Sequence, residues 1–281
     1  MKLGRFRTDS GAHLCRIDAG RIADLTAAGF GTSMRALITD LDARRAEIAA
    51  VAADGPMLAD VTLLAPIDDP QKFLALGMNY KEHADKARAA GIKVPDSQLW
   101  FNKQVSCIAG PFAGIDKPAI SDRLDFEAEL AFVIGKPCRR VAPEDALSVI
   151  AGYMVANDVS VRDWQLRSPT YTLGKSFDTH GPFGPWITTA DEVPDPQALA
   201  IRAWVNGALR QESNTSDMIY PIAEQIAYVT QAFTLLPGDV LLTGTPSGTG
   251  IESNSFLAIG DVVKVEIEGL GHIENTVVRE A

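Results

Sequence analysis

Asp125-Phe-Glu-Ala-Glu-Leu-Ala-Phe-Val-Ile-Gly135 is the stretch on which the reading of the fold turns. Its alternation puts Phe126, Ala128, Leu130, Phe132 and Ile134 on one face of an extended strand. Glu127 and Glu129 then share the opposite face, about 7 Å apart at ordinary strand rise. Two carboxylates flanked by this much apolar sequence repel each other and resist desolvation unless a cation or proton sits between them. The same alternation also describes the solvated outer face of an edge strand. The pair alone does not choose between the two.

Working outward, Gly152-Tyr-Met-Val-Ala-Asn-Asp-Val-Ser160 is a second apolar run, with Asp158 near its C-terminal end and Arg162 just beyond. A third carboxylate from another strand completes an oxygen-only ligand set. Such a set suits a hard ion, Mg²⁺ or Mn²⁺, and suits zinc poorly. The plainer alternative has Asp158 capping a turn or pairing with Arg162 at the surface. The further apolar runs, near 128–135, 152–158, 200–205, 240–243, 262–267 and 272–278, are short and punctuated by Gly and Pro. Helical patterns fall only near 143–150 and 221–233, so strands outnumber helices without a regular βαβ alternation. This predicts a β-rich α+β body, a rolled sandwich rather than a doubly wound Rossmann sheet. Residues 1–68 read as a small N-terminal α+β domain: β-like pieces at 1–7, 13–17 and 21–24 precede one helical stretch at 33–50 behind a Ser33 cap. Residues 69–281 form the catalytic domain, opening with a strand at 72–77.

The bulk properties exclude several classes. A net charge of -10 argues against nucleic-acid and anionic-membrane surfaces, which need clustered Lys and Arg. A small anionic substrate stays open, because a bound divalent ion inverts the local field. No apolar run approaches the roughly 18 residues a spanning helix needs, and the N-terminus lacks the apolar core of a signal peptide. Cys15, Cys107 and Cys138 are widely spaced and form no CxxC pair, which fits reduced thiols in a cytoplasm. The 4 histidines show no HxxxH spacing, against a zinc hydrolase of the HExxH type.

Three other segments carry chemistry. Gly174-Lys-Ser-Phe-Asp-Thr-His-Gly-Pro-Phe-Gly-Pro-Trp186 reads as too irregular for a core element, and loops of this kind line sites. Its Lys175 offers a point charge to a carboxylate or developing enolate, or is an ordinary surface lysine. Val240-Leu-Leu-Thr-Gly-Thr-Pro-Ser-Gly-Thr-Gly250 is a strand entering a Gly-rich turn that is neither GxxxxGK nor GxGxxG. With Thr245 its backbone N–H groups can cradle a substrate carboxylate, or it is a wide hairpin loop. Gly77-Met-Asn-Tyr-Lys-Glu-His-Ala-Asp-Lys-Ala87 opens a helix whose His83 is a candidate general base, though a lone helical His is more often structural or merely exposed.

In this order and spacing the segments resemble the fumarylacetoacetate hydrolase family: Gly-Met-Asn-Tyr-Lys-Glu-His at 77–83, Glu-Ala-Glu at 127–129, Asp158 with Arg162 and Gln165, Gly-Lys-Ser-Phe at 174–177, Val-Asn-Gly-Ala-Leu-Arg-Gln-Glu at 205–212 and Gly-Thr-Pro-Ser-Gly at 244–248. The match runs from about residue 70 to the C-terminus. The resemblance implies a mixed β-sandwich roll, a homodimer, and Mg²⁺ or Mn²⁺ on Glu127, Glu129 and Asp158. It further implies Lys175 beside the metal, Arg162 and Gln165 near a small 2-oxo or β-diketo acid, and Thr245 at the acid's carboxylate. The implied reaction is hydrolysis of a C–C bond in an acylpyruvate, with His83 activating water. One position departs: hydrolytic and decarboxylating members commonly place a Glu three residues after the helix His, and here that residue is Lys86. Glu252, in the loop after Thr245, is the candidate to take its place. Lys86 keeps two other readings open, a decarboxylase or isomerase of a 2-oxo acid and a catalytically silent metal-binding relative.

Overall fold

The computed structural model describes residues 1–280. The alternation at 125–135 forms the strand Ala128–Ile134, hydrogen-bonded on one side to Ile150–Asn157 and on the other to Val240–Leu242. All seven of its residues are buried. The solvated-edge alternative therefore fails: both edges are paired, and both faces are covered by apolar side chains.

This strand lies inside an eleven-stranded mixed sheet. Its main path runs Arg21–Asp24, Gly11–Asp18, Lys2–Thr8, Gly181–Thr189, Ile150–Asn157, Ala128–Ile134, Val240–Leu242, Phe73–Gly77, Leu99–Asn102. A five-stranded sheet, Ala208–Asn214, Ala200–Val205, Val262–Ile267, Gly271–Arg279 and Ile115–Lys117, packs against it. Leu130, Phe132 and Ile134 from the large sheet and Ile201, Ala203, Val263 and Val265 from the small one share one buried cluster. The apolar alternation of both sheets thus closes a sandwich. The β-rich α+β architecture expected from the sequence is the one observed.

Helices are few. The stretch at 33–50 splits into Met34–Thr39, capped by the Ser33 hydroxyl accepting Ala36 N–H, and Leu41–Ala50. The pattern at 221–233 becomes Ile222–Ala232, and that at 143–150 tightens into a 3₁₀ turn over Pro143–Val149. Strands 1–24 pair with the large sheet through Lys2 opposite Thr188 and Leu3 opposite Ile187. Leu3, Leu14, Met34 and Ile38 share a second buried cluster with Ala131, Val133 and Phe183.

One expectation is overturned. The irregular segment 174–186 runs directly into Gly181–Thr189, a nine-residue strand at the centre of the large sheet. Its Pro182 and Pro185 donate no N–H, and its ladder to Ile150–Asn157 is broken by a register shift between Tyr153 and Val155. A bulged ladder tolerates residues that a regular central strand rejects. Gly174 and Lys175 close a 3₁₀ turn, Leu173–Lys175, and only residues 176–180 form a loop.

Candidate metal centre and active site

The three carboxylates converge. One oxygen each from Glu127, Glu129 and Asp158 lies within 4.8 Å of the others, and all three residues are buried. Glu127 sits just ahead of the strand Ala128–Ile134, which carries Glu129 as its second residue. Asp158 follows the neighbouring strand, its N–H donating to the Glu127 carbonyl at 2.9 Å.

Three buried cations answer this charge. Lys175 donates from Nζ to Glu127 Oε2 at 2.6 Å and to Asp158 Oδ2 at 2.7 Å. Arg162 reaches Glu127 Oε1 at 2.6 Å through Nη1 and Asp125 Oδ2 at 2.7 Å through Nε. Lys103, its side chain 0% exposed, donates to Asp158 Oδ1 at 2.7 Å and to the Lys175 carbonyl. The surface-lysine reading of Lys175 and the surface-pair reading of Asp158 are both excluded by burial. Four carboxylates, Asp125 included, face three cations, which leaves one uncompensated negative charge.

That charge falls on Glu129. Its only hydrogen bond among the described residues comes from Gly244 N–H, 2.6 Å from Oε2. Burial, then the negative charges of Asp158 and Glu127, hold its carboxyl well above the usual range. At Glu127 burial pushes the same way, but the Arg162 and Lys175 cations outweigh it and hold the group below the usual range. For Lys175 burial favours the neutral amine, and Asp158 and Glu127 overcome it and keep the charge. An oxygen-only triad with one under-partnered carboxylate fits a hard divalent cation. Gly244 makes this contact possible: its φ is +97°, and a Cβ there would lie 2.7 Å from Asn79 Cβ.

Glu127 and Glu129 of the triad open into a cavity of about 650 Å³. Glu127, Glu129, Arg162, Gln165, Lys175 and Thr245 line its polar end, and Leu76, Leu99, Phe101 and Leu166 supply apolar wall. Arg162 Nη2 is buried there with no partner among the described residues, a donor free for an anion. Gln165 accepts from Arg162 Nη1 at 3.0 Å. Thr245 Oγ1 accepts from Gln211 at 2.9 Å, which leaves its own proton to donate.

His83 and Glu252 line the same cavity. His83 Nδ1 lies 2.7 Å from Glu252 Oε1, so the imidazole has a carboxylate partner although Lys86 supplies none. Glu252 reaches the imidazole from a remote loop, and Lys86 lies on the cavity wall, half exposed, 2.8 Å from Glu82 and 3.5 Å from Glu252. Burial raises the Glu252 carboxyl, but the His83 contact and Gly248 N–H outweigh it and bring it below the usual range.

Sequence reasoning missed three residues. Asp125 shares its parity with Glu127 and Glu129 and was legible there. Lys103 follows the short strand Leu99–Asn102, a place where a lysine ordinarily leaves for solvent, so its sequence carries little signal. Gln211 is fully buried, donating to Thr245 and to the Pro246 carbonyl at 2.7 Å while accepting Ala128 N–H at 2.9 Å. It follows a two-residue turn, Asn206 at φ +51° and Gly207 at φ +77°, of the type-I′ hairpin kind.

Known proteins are similar to this chain in sequence and fold. Mitochondrial oxaloacetate tautomerase fahd2 of Xenopus laevis is 46% identical over 224 residues, 78% of this chain and 69% of that protein. Fumarylacetoacetate hydrolase from Exiguobacterium antarcticum superposes with a TM-score of 0.87 at 37% identity, over 100% of both chains. Maleylpyruvate hydrolase from Sphingobium sp. SYK-6, solved with manganese(II) and pyruvate, does so with 0.85 at 35%, again over 100% of both. No helix is long and apolar enough to cross a membrane among the described residues. The family profile described as fumarylacetoacetate (FAA) hydrolase C-terminal matches residues 72–278, and with the buried triad and these relatives it establishes the chain as a member of the fumarylacetoacetate hydrolase family.

Proposed function

We propose that the protein hydrolyses a C–C bond in an acylpyruvate-type β-diketo acid, with Mg²⁺ or Mn²⁺ held by Glu127, Glu129 and Asp158. The observation that carries this reading is the His83–Glu252 contact, 2.7 Å long, on the wall of the cavity that Glu127 and Glu129 open into. When bound there, the ion would supply a Lewis acid to the 2-oxo acid unit. Arg162 Nη2 and the Thr245 hydroxyl bind the substrate carboxylate, and Lys175 keeps a positive charge beside the 2-oxo oxygen. Glu252 holds the His83 imidazole with its other nitrogen free to take a proton from water. The resulting hydroxide adds to the distal carbonyl. The C–C bond breaks, its electron pair passes into the 2-oxo unit as an enolate, and His83 returns the proton to carbon. Pyruvate and a carboxylic acid leave. A cavity of about 650 Å³ leaves room for a substituent beyond the 2-oxo acid unit.

A second reading is favoured by the relatives. The proton-transfer half of this sequence, without water, interconverts the keto and enol forms of an oxaloacetate-like acid, the activity in the name of the Xenopus relative. One assay separates the two. Purified protein with Mg²⁺ or Mn²⁺ is given acylpyruvates and, separately, the enol of oxaloacetate. Loss of diketone absorbance with pyruvate release supports hydrolysis. Faster decay of enol absorbance to the keto acid, with no pyruvate released, supports tautomerisation, and neither change refutes both. The homodimer belongs to the same proposal and is tested by sedimentation.

A further inference from the structure

We infer that Asp125 is a positioning residue that sets Glu252, and through it the His83 imidazole, in register with the carboxylate triad. Asp125 is fully buried and uses both carboxylate oxygens twice. Oδ1 accepts Gly250 N–H at 2.7 Å and Phe126 N–H at 2.8 Å. Oδ2 accepts Ile251 N–H at 2.8 Å and Arg162 Nε at 2.7 Å. Two of these donors belong to the turn Gly250–Ser253, whose next residue is Glu252. The others tie Asp125 to its own strand and to the guanidinium that holds Glu127 at 2.6 Å. One side chain therefore bridges the turn carrying the His83 partner and the segment that runs through Glu127 into the strand carrying Glu129. Asp125 touches neither the cavity nor His83, so it acts only through these contacts.

Gly250 records the same requirement independently. A Cβ there would lie 2.5 Å from Asp125 Oδ1 and 2.4 Å from the Ser255 carbonyl oxygen. The turn lies against the carboxylate at a distance only glycine permits. A loop free to choose its own position would not need so close an approach. Glu252 gains its place from this anchoring: its residual supports are Gly248 N–H at 3.1 Å, His83 and the half-exposed Lys86.

Asp125→Asn tests the inference because the change is nearly isosteric. Each carboxylate oxygen serves one N–H of the 250–251 turn and one other donor. Replacing either by an NH₂ group, which only donates, leaves one turn N–H facing a donor. The kinetic arm rests on the proposed role of His83 and Glu252; the spectroscopic arm does not. In full-length protein labelled with ¹⁵N-histidine, the hydrogen-bonded Nδ1–H of His83 gives a downfield proton signal in the parent. Asp125→Asn is expected to abolish or shift it while the thermal melt stays cooperative. Turnover is expected to fall at least tenfold with little change in KM. In a Glu252→Gln background the same substitution should cost less than threefold more, because residues acting through one another do not add. A retained His83 signal, or losses that add in the double variant, overturns the inference. If Asp125→Asn does not fold, Gly250→Ala is read by the same criteria. A parent inactive on every 2-oxo acid defeats the functional reading, and the histidine signal still decides the role of Asp125.

Discussion

Glu129→Gln separates a metal centre from a merely buried acidic cluster, because the two respond with opposite signs. Without a cation, Glu129 carries a raised carboxyl pKa from burial and from the charges of Asp158 and Glu127. A carboxylate raised in the native state binds protons more tightly there than when unfolded. The native state then loses stability as pH climbs from the unfolded pKa through the folded one. Metal-free protein bears this penalty toward neutral pH, and glutamine removes it while keeping the shape. The metal-free variant should melt no lower than the parent. Ion binding should behave the other way, with a loss of at least tenfold once a charged ligand is gone. With ion at about 100 times the parental Kd, the parent gains about 2.7 kcal/mol and the weakened variant about 1.4 kcal/mol. Unfolding entropy near 2.1 cal/mol/K per residue makes these gains about 5 °C and about 2 °C for a chain of this length. Calorimetric melts of chelator-stripped protein, with and without MnCl₂, read both effects. Equal metal-induced shifts in parent and variant refute the placement of the ion. A metal-free melt several degrees below the parent shows instead that the ionised carboxylate is stabilising, and refutes the charge argument.

His83→Ala should lower turnover by about 10²–10⁴-fold, the range of a lost general base, with Mn²⁺ affinity within about threefold of parental. Turnover surviving within a few-fold would move water activation elsewhere, and a parallel loss of Mn²⁺ affinity by titration would make His83 structural. Lys86→Glu should leave turnover within about threefold, since Glu252 already occupies the imidazole and Lys86 lies half exposed beside it. A KM rise above tenfold for substrates with a distal carboxylate, and none for those without, would show that Lys86 binds substrate.

The fold class and the Glu127–Glu129 pair were legible because both follow from periodicities of two. The alternation at 125–135 identifies a core strand and puts its acidic residues on one face. What it cannot supply is the identity of the strand's neighbours. Val240–Leu242 and Ile150–Asn157 cover its edges, and only that covering excludes a solvated face. Gly181–Thr189 stayed illegible because its ladder admits Pro185 through a bulge, a property of the pairing and not of the segment. Glu252 was nameable as a candidate, but its meeting with His83 is tertiary. Lys103 escaped because a lone lysine after an apolar run usually marks a strand's exit into solvent. Here it turns inward, where Asp158 awaits it.

The separations spanned by the site contacts bear on when the centre comes into being. Lys175 meets Glu127 across 48 positions, Gly244 meets Glu129 across 115, Gly250 meets Asp125 across 125, and His83 meets Glu252 across 169. Closures this long come late in folding, since their chain entropy is lost before any contact rewards it. During synthesis the segment from Gly244 to Glu252 leaves the ribosome after every carboxylate of the triad. An unfinished chain therefore exposes acidic groups that have not yet met the backbone donors and the imidazole partner of the finished site. Uptake of the ion is a chronometer for the last long-range closures, and its rate in a refolding experiment should track the slowest structural phase and none of the earlier ones.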